Sequence, residues 1–348
     1  MTLPATLPAP RTPDTQAAPP LNWGILGPGG IAGAFAWVAR GYTRQRLVAV
    51  GSRDYGRAQQ FAARYEIPTA HGSYEALVAD PNVQAVYVAT PHSHHYEHAK
   101  LALAAGKHVL IEKSFTTSAA QAQELVDLAA ARGLALMEAM WTRFLPRTDT
   151  VRQLLENGAL GELDTLIADH GQPLLHVPRL TDPHLAGGAL LDLAIYPVSW
   201  AVFALGLPGR IQASGSLTDR GVDRQETIIL DQFPNHPNAR AVLHATMSAK
   251  TATSAVLSGT HGRVELDNNF YRPGPVRAVD NAGNVLIRHD DWQTSNQGMA
   301  GEIAEFAQIV ADGRRESALL PLAETVAIMA IMDEVRVQLG VTYPWEQR

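Results

Sequence analysis

One short stretch constrains this chain more than any other. Residues 22–32 read Asn-Trp-Gly-Ile-Leu-Gly-Pro-Gly-Gly-Ile-Ala. The apolar run at 23–26 reads as a buried strand, it breaks at Gly27-Pro28-Gly29-Gly30, and residues 31–40 continue at helical spacing. Gly27 permits a tight strand-to-helix turn, Gly29 lets the backbone approach a pyrophosphate, and Ala32 lets helix and strand pack closely. The amides that open the helix, at Gly30 and Ile31, form with its dipole a place for phosphate. Glycine-rich turns are common, so the position of this one between a strand and a helix is what gives it meaning.

The following hundred residues repeat the same alternation. Strands are expected at 47–50, 83–88, 108–111 and 135–138, with helices at 55–65, 96–105 and 118–132. Strands and helices alternating over short links imply a doubly wound parallel sheet covered on both faces. Such sheets bind ligands at the carboxyl ends of their strands. After about residue 150 the pattern changes to strands at 163–169, 211–217, 226–232, 241–247, 255–258 and 264–266, separated by Gly, Pro, Asn and Asp. One apolar helix at 189–205 interrupts them, and helices at 299–311 and 322–339 close the chain. The fold class is therefore α/β: a dinucleotide-binding domain at 21–143, then an α+β domain at 144–348 with an open, mainly antiparallel sheet. The closing helices have room to pack back on the first domain.

The 348 residues, 46% of them hydrophobic, suit two globular domains. A net charge of -6 argues against nucleic acid or an anionic membrane as the main partner, and the lack of any cysteine excludes a disulfide scaffold, a thiolate metal site and a cysteine nucleophile. No apolar run is expected to reach the ~20 residues of a membrane helix. Prolines at 4, 8, 10, 13, 19 and 20 mark residues 1–20 as a disordered tail, with an arm reaching a neighbouring subunit as the alternative. The tail lacks a signal-peptide core, so the expected location is cytoplasmic. The expected partner is a small-molecule substrate, with neither nucleic acid nor membrane.

Several positions at strand ends can carry chemistry. The second strand ends in Ser52-Arg53-Asp54, with Arg57 one helical turn on. Two guanidinium groups beside a hydroxyl suit the 2′-phosphate of NADP better than the 2′-hydroxyl of NAD, although Asp54 remains a possible ribose ligand. Thr90 and Pro91-His92-Ser93-His94-His95-Tyr96-Glu97-His98 follow the next strand, where a loop touching the cofactor through Thr90, Pro91, His92 and His95 is expected. His94 and His98 have the spacing of a zinc pair, but no acid completes a set, and no metal is expected. Glu112-Lys113 ends the fourth strand and puts a cation at the ligand edge. Gly187-Gly188 precedes Asp192 and Tyr196, one helical turn apart in an apolar run where an acid needs a partner; Lys113 is the natural one if the helix crosses the ligand edge. Pro197 removes a backbone donor there.

Taken together, Gly27-x-Gly29-x-x-Ala32, Glu112-Lys113 and Gly187-Gly188-x-x-x-Asp192-x-x-x-Tyr196 resemble the glucose-fructose oxidoreductase / inositol dehydrogenase / MocA family over residues 21–348. Within it the chain is similar to the branch of dimeric dihydrodiol dehydrogenases and NADP-dependent D-xylose dehydrogenases. Residues 137–144, 187–197, 259–264 and 343–346 support this. The resemblance implies a Rossmann domain, a second domain that forms a homodimer or higher homo-oligomer through its sheet, and hydride transfer between NADP and a sugar or trans-dihydrodiol carbinol. It implies a catalytic lysine at Lys113, a tyrosine at Tyr196 and an orienting acid at Asp192. It also implies 2′-phosphate contacts from Arg53 and Arg57, and a substrate pocket walled by Trp141 and reached by Arg143. Ser114 departs from the family's usual proline, and Tyr196 stands where many members carry histidine. A non-catalytic dinucleotide-binding regulator and an anhydro-sugar reductase are the competing expectations on the same fold.

Overall fold

The computed structural model describes residues 3–289 and 295–346. They fall into two compact units. The first comprises Pro13–Phe144 with Asn296–Met329, and the second Met1–Thr12, Leu145–Ser295 and Ala330–Arg348.

The chain enters the first unit as β1 (Asn22–Leu26), α1 (Gly30–Tyr42), β2 (Arg46–Gly51), α2 (Tyr55–Tyr65), β3 (Thr69–His71), α3 (Tyr74–Ala79) and β4 (Ala85–Val88). It continues through α4 (His95–Ala104), β5 (His108–Glu112), α5 (Ala119–Arg132) and β6 (Leu136–Ala139). The strands pair in parallel in the order β3-β2-β1-β4-β5-β6, so the chain reverses direction across the sheet between β1 and β4. Because helices cover both faces, β4 and β6 are buried at every residue, and β4 reads as an apolar run rather than an alternating one. Trp23 is sealed in this core between Phe35 and Phe306, and its indole Nε1 donates to Gln45 Oε1 at 3.0 Å. The sequence reading missed β3 and α3, which are too short to establish a period.

The second unit holds α6 (Pro146–Glu156), β7 (Leu163–Gly171), a π-helical turn (Leu190–Ala194) running into α7 (Ile195–Leu205), then β8 (Arg210–Leu217), β9 (Asp223–Phe233) and β10 (His236–Thr246). β11 (Ala255–Gly259), β12 (Gly262–Leu266), β13 (Val276–Asp280) and β14 (Val285–Arg288) complete an eight-stranded sheet ordered β14-β13-β12-β11-β7-β10-β9-β8. Every pairing is antiparallel except β7 with β10. α7 covers the middle strands β7 and β10. About six strands were expected; β13 and β14 escaped because their hairpin follows a Gly- and Pro-rich loop and carries only short apolar runs. The chain closes with α8 (Met299–Ala311) in the first unit and α9 (Leu322–Leu339), which contains the unit boundary.

Two expectations are corrected. Residues 3–20, expected as a disordered tail, are packed. In the second unit the Arg11 amide donates to Asp149 Oδ2 at 2.6 Å, its guanidinium pairs with Asp149 and Glu156, and Gln153 Nε2 donates to Ala9 O at 2.7 Å. In the first unit Thr15 Oγ1 donates to Tyr42 O at 2.7 Å and Gln45 Nε2 to Pro19 O at 2.9 Å. Proline restricts the extended backbone in advance, so less entropy is lost when such an arm is laid down. Second, Pro183–Leu205 is long and apolar enough to cross a membrane, with mean hydropathy 1.6, yet 94% of its most apolar window is buried inside the protein. Most of it is the π-helical turn and α7, a core segment of the second unit that is apolar on most sides because it is covered on most sides.

Candidate active site

In the first unit the residues singled out from the sequence gather at the carboxyl ends of the parallel strands. Gly27 has φ +97°, and a Cβ there would lie 2.8 Å from Thr90 Cγ2, so a side chain is excluded where the ends of β1 and β4 meet. Gly29 precedes α1 and no side chain caps that helix. A Cβ on Gly30 would meet nothing within 4 Å, and Ile31 is exposed. Uncapped amides facing open space are what a pyrophosphate requires.

At the end of β2, Ser52 Oγ accepts from Asp54 N at 3.1 Å, and Asp54 turns back to cap α2 by accepting from Arg57 N at 3.1 Å. The one acid of this turn is thus occupied with its own helix, while the Arg53 and Arg57 side chains are exposed. Arg53 also acts on the facing loop: its charge helps lower the His94 and His98 pKa values, after burial, the larger cause at both. His98, pushed to about 4, meets Thr90 Oγ1 through Nδ1 at 3.0 Å.

His95, expected as a cofactor contact, is 1% exposed and ties two loops together. Its Nε2 lies 2.7 Å from Thr90 O and its Nδ1 2.8 Å from Ser114 O. Burial pushes its pKa down to about 4, so the ring is neutral and donates to one of these carbonyls at a time. It ties the segment after β4 to the segment after β5. His92 is also buried, with its ring 5.6 Å from that of His95, while Pro91 opens the loop in extended conformation.

Glu112 is buried and accepts from the Tyr87 hydroxyl. Lys113, partly exposed, follows it. Glu138, at the end of β6, accepts from Phe115 N at 3.0 Å and so holds the segment just past Lys113. Burial raises its pKa to about 7 against the opposing pull of the Phe115 amide and the Arg143 charge. Trp141 follows β6 and is largely buried. Arg143, expected at the substrate, is 3% exposed, and its Nη2 sits 2.6 Å from Glu324 Oε1 and 3.3 Å from Leu319 O. A guanidinium this deep needs a carboxylate, and that need fixes its place.

In the second unit Asp192 and Tyr196 are both 7% exposed, on the π-helical turn and the first turn of α7. The wider turn admits Pro197 two residues into α7, where its missing donor would otherwise interrupt the ladder. Arg179 Nη2 lies 3.3 Å from Asp192 Oδ1, giving this buried acid a cation that the sequence reading did not anticipate. Three further residues were missed. The His170 ring lies 5.3 Å from that of Tyr196, and the Tyr271 ring 4.5 Å from it. Gln172 Nε2 donates to His170 Nε2 at 2.9 Å and to the Tyr271 hydroxyl at 3.2 Å, which assigns the His170 proton to Nδ1, donating to Leu193 O at 3.1 Å. The network walls Tyr196 with aromatic rings. Its members come from β7 and a distant loop, so no spacing in the sequence connects them.

Comparison with known proteins identifies the family. Residues 21–140 match the GFO/IDH/MocA oxidoreductase family with an NAD-binding Rossmann fold, and residues 148–265 match the GFO/IDH/MocA C-terminal domain. The human trans-1,2-dihydrobenzene-1,2-diol dehydrogenase is 37% identical over 335 residues, spanning 94% of this chain and 99% of that enzyme. The D-xylose 1-dehydrogenase (NADP+) of Hypocrea jecorina is 39% identical, spanning 93% of each chain. Among solved structures, a 3-ketoreductase from Actinomadura kijaniata in complex with NADP and TDP-benzene superposes with a TM-score of 0.78 at 28% identity, over 92% of this chain and 98% of that one. With both halves matched and relatives similar from end to end, this chain belongs to the GFO/IDH/MocA family of oxidoreductases.

Proposed function

We propose that the protein is an NADP-dependent dehydrogenase/reductase that moves a hydride between the cofactor and a CH–OH carbon of a sugar or a trans-dihydrodiol. The relatives named above act on substrates of these two kinds. The fit to NADP is supported by the bare amides before α1, the glycines beside them, and the turn where two arginines are exposed while Asp54 is engaged as a cap. When bound, the nicotinamide supplies or accepts the hydride. The chain's own groups manage the proton and the substrate.

The observation that carries the reading is Tyr196, a phenol walled by aromatic rings on the same helical run as a buried, ion-paired Asp192. Tyr196 takes the substrate hydroxyl proton in oxidation and returns it in reduction. Free tyrosine titrates near ~10, so it needs a cation to act at neutral pH. Lys113 is that cation in this reading, and Asp192 orients the pair. Trp141 offers a flat apolar surface to the substrate ring. A non-catalytic regulator would have no use for Lys113, Asp192 and Tyr196 together. Self-association through the sheet of the second unit belongs to the same reading, supported by Ile167, 54% exposed in the central strand β7.

The test is a screen of purified protein with NADP or NAD against aldoses, trans-dihydrodiols, anhydro-sugars and dicarbonyls, following absorbance of the reduced cofactor. The expected result is turnover of an aldose or dihydrodiol with NADP preferred. Tight cofactor binding without turnover of any of them would establish the regulator instead.

A further inference from the structure

The double glycine before Asp192 has a buried counterpart from another strand. Asp223, the first residue of β9, is buried, and its carboxylate accepts from the amides of Leu190 and Ala189, where the helical run carrying Asp192 and Tyr196 begins. Gly188 has φ +130°, and a Cβ there would lie 2.0 Å from Asp223 Oδ1; one on Gly187 would lie 2.5 Å from Leu180 O. Gly188 therefore lets the backbone close on the carboxylate, and Gly187 lets it pass the Leu180 carbonyl. Amides opening a helix carry partial positive charge and lack intrahelical partners, so an anion held against them sets where the helix starts.

We infer that Asp223 is a positioning residue of the reaction: its carboxylate, docked on the Ala189 and Leu190 amides, fixes the helical run that presents Asp192 and Tyr196. This rests on the roles given to those two residues above. Asp223 touches neither substrate nor cofactor in this scheme and acts through the helix. Its own strand presents Glu226, 1% exposed with neither carboxyl oxygen hydrogen-bonded, whose pKa burial and the Asp223 charge push well above the usual range. The closing segment presents the Tyr343 phenol, ringed by Arg336, Glu346 and Asp333. The helix side presents the two amides. Burial, opposed by those amides, raises Asp223 to about 6. Protonation turns one acceptor oxygen into a donor facing amide donors, so the dock loosens as pH falls through that value.

The experiment measures kcat and KM from pH 5 to 8 with NADP and either D-xylose or trans-1,2-dihydrobenzene-1,2-diol, alongside hydrogen exchange of the peptide at 187–200 corrected for intrinsic rates. In the parent protein, kcat should rise through an acid limb near pH 6. Asp223→Asn keeps the shape and one acceptor; it should lose that limb and about tenfold in kcat. Asp223→Ala should lose about a hundredfold in kcat, with little change in NADP affinity, because small misplacements of reacting groups are costly. In both variants exchange at Ala189 and Leu190 should accelerate. Tyr196→Phe is the control: it should lose kcat while exchange at 189–190 stays as in the parent. An acid limb retained in Asp223→Asn, or kcat within about twofold in Asp223→Ala, overturns the inference alone. Full activity in Tyr196→Phe overturns the proton-transfer reading beneath it, while the exchange data still report on the dock.

Discussion

The two units present their candidate groups in opposite ways. The first offers backbone and exposed side chains: uncapped amides before α1, open space at Gly30, and Arg53 and Arg57 in solvent. The second withdraws its groups into the interior, with Asp192 and Tyr196 walled by His170, Tyr271 and Arg179. The difference matches two tasks. Binding a large polyanion asks for many donors along an edge that water also reaches, each contributing modestly. Moving one proton asks for a few groups in a drier place where a neighbouring charge acts strongly. Loss of a group should therefore change affinity in the first unit and rate in the second, except where a group of the first unit serves the chemistry.

The largest effect is expected at that exception and at its partner. Tyr196→Phe should lower kcat by roughly 10²–10⁴-fold, the usual contribution of a general acid–base group, with NADP affinity measured by fluorescence titration unchanged. Lys113→Met should fall in the same direction, lowering turnover far more than affinity although it lies in the binding unit; unchanged turnover would return it to the binding set.

Next come the exposed arginines. Arg53→Ala and Arg57→Ala should each weaken NADP binding about tenfold and leave NAD binding nearly as it was, because charge-assisted hydrogen bonds to a phosphate contribute roughly 1.5–3 kcal/mol. Calorimetric titration with both cofactors checks this. Equal losses for NAD and NADP would detach these residues from the 2′-phosphate.

The smallest effect concerns a group of the first unit that is buried like those of the second. Glu138 is raised to about 7, so the folded protein holds its proton more tightly than the unfolded chain does. Its contribution to stability is therefore fully present below the ordinary carboxyl range and is lost as pH rises through about 7. The melting temperature of the parent protein should decline between pH 5 and 8 relative to Glu138→Gln, by roughly 2–4 °C for each kcal/mol involved. Parallel curves would show that Glu138 does not titrate in that window.

The glycine turn, Glu112-Lys113 and the Asp192–Tyr196 spacing were legible because each lies within one local run whose period or turn chemistry dictates its form. Arg143 and His95 have partners that no such run could show. Both stand in conspicuous motifs at strand ends, yet Glu324 in one case, and the carbonyls of Thr90 and Ser114 in the other, turn them inward. The proline-rich arm misled because composition reports the cost of order but not the partners, here Asp149 and Glu156, that offset it. Asp223 was invisible: nothing near it in sequence announces that its carboxylate belongs against Gly188.

By itself the sequence determined the α/β alternation and the change of pattern near residue 150, since hydrophobic period and turn residues act over a few positions. Only the tertiary structure decided which charges are compensated and by what: Asp192 by Arg179, Arg143 by Glu324, and the amides of the Tyr196 helix by Asp223. The physical reason is that burying a charge is favourable only with its partner in place, and those partners are brought together by folding from positions with no relation along the chain.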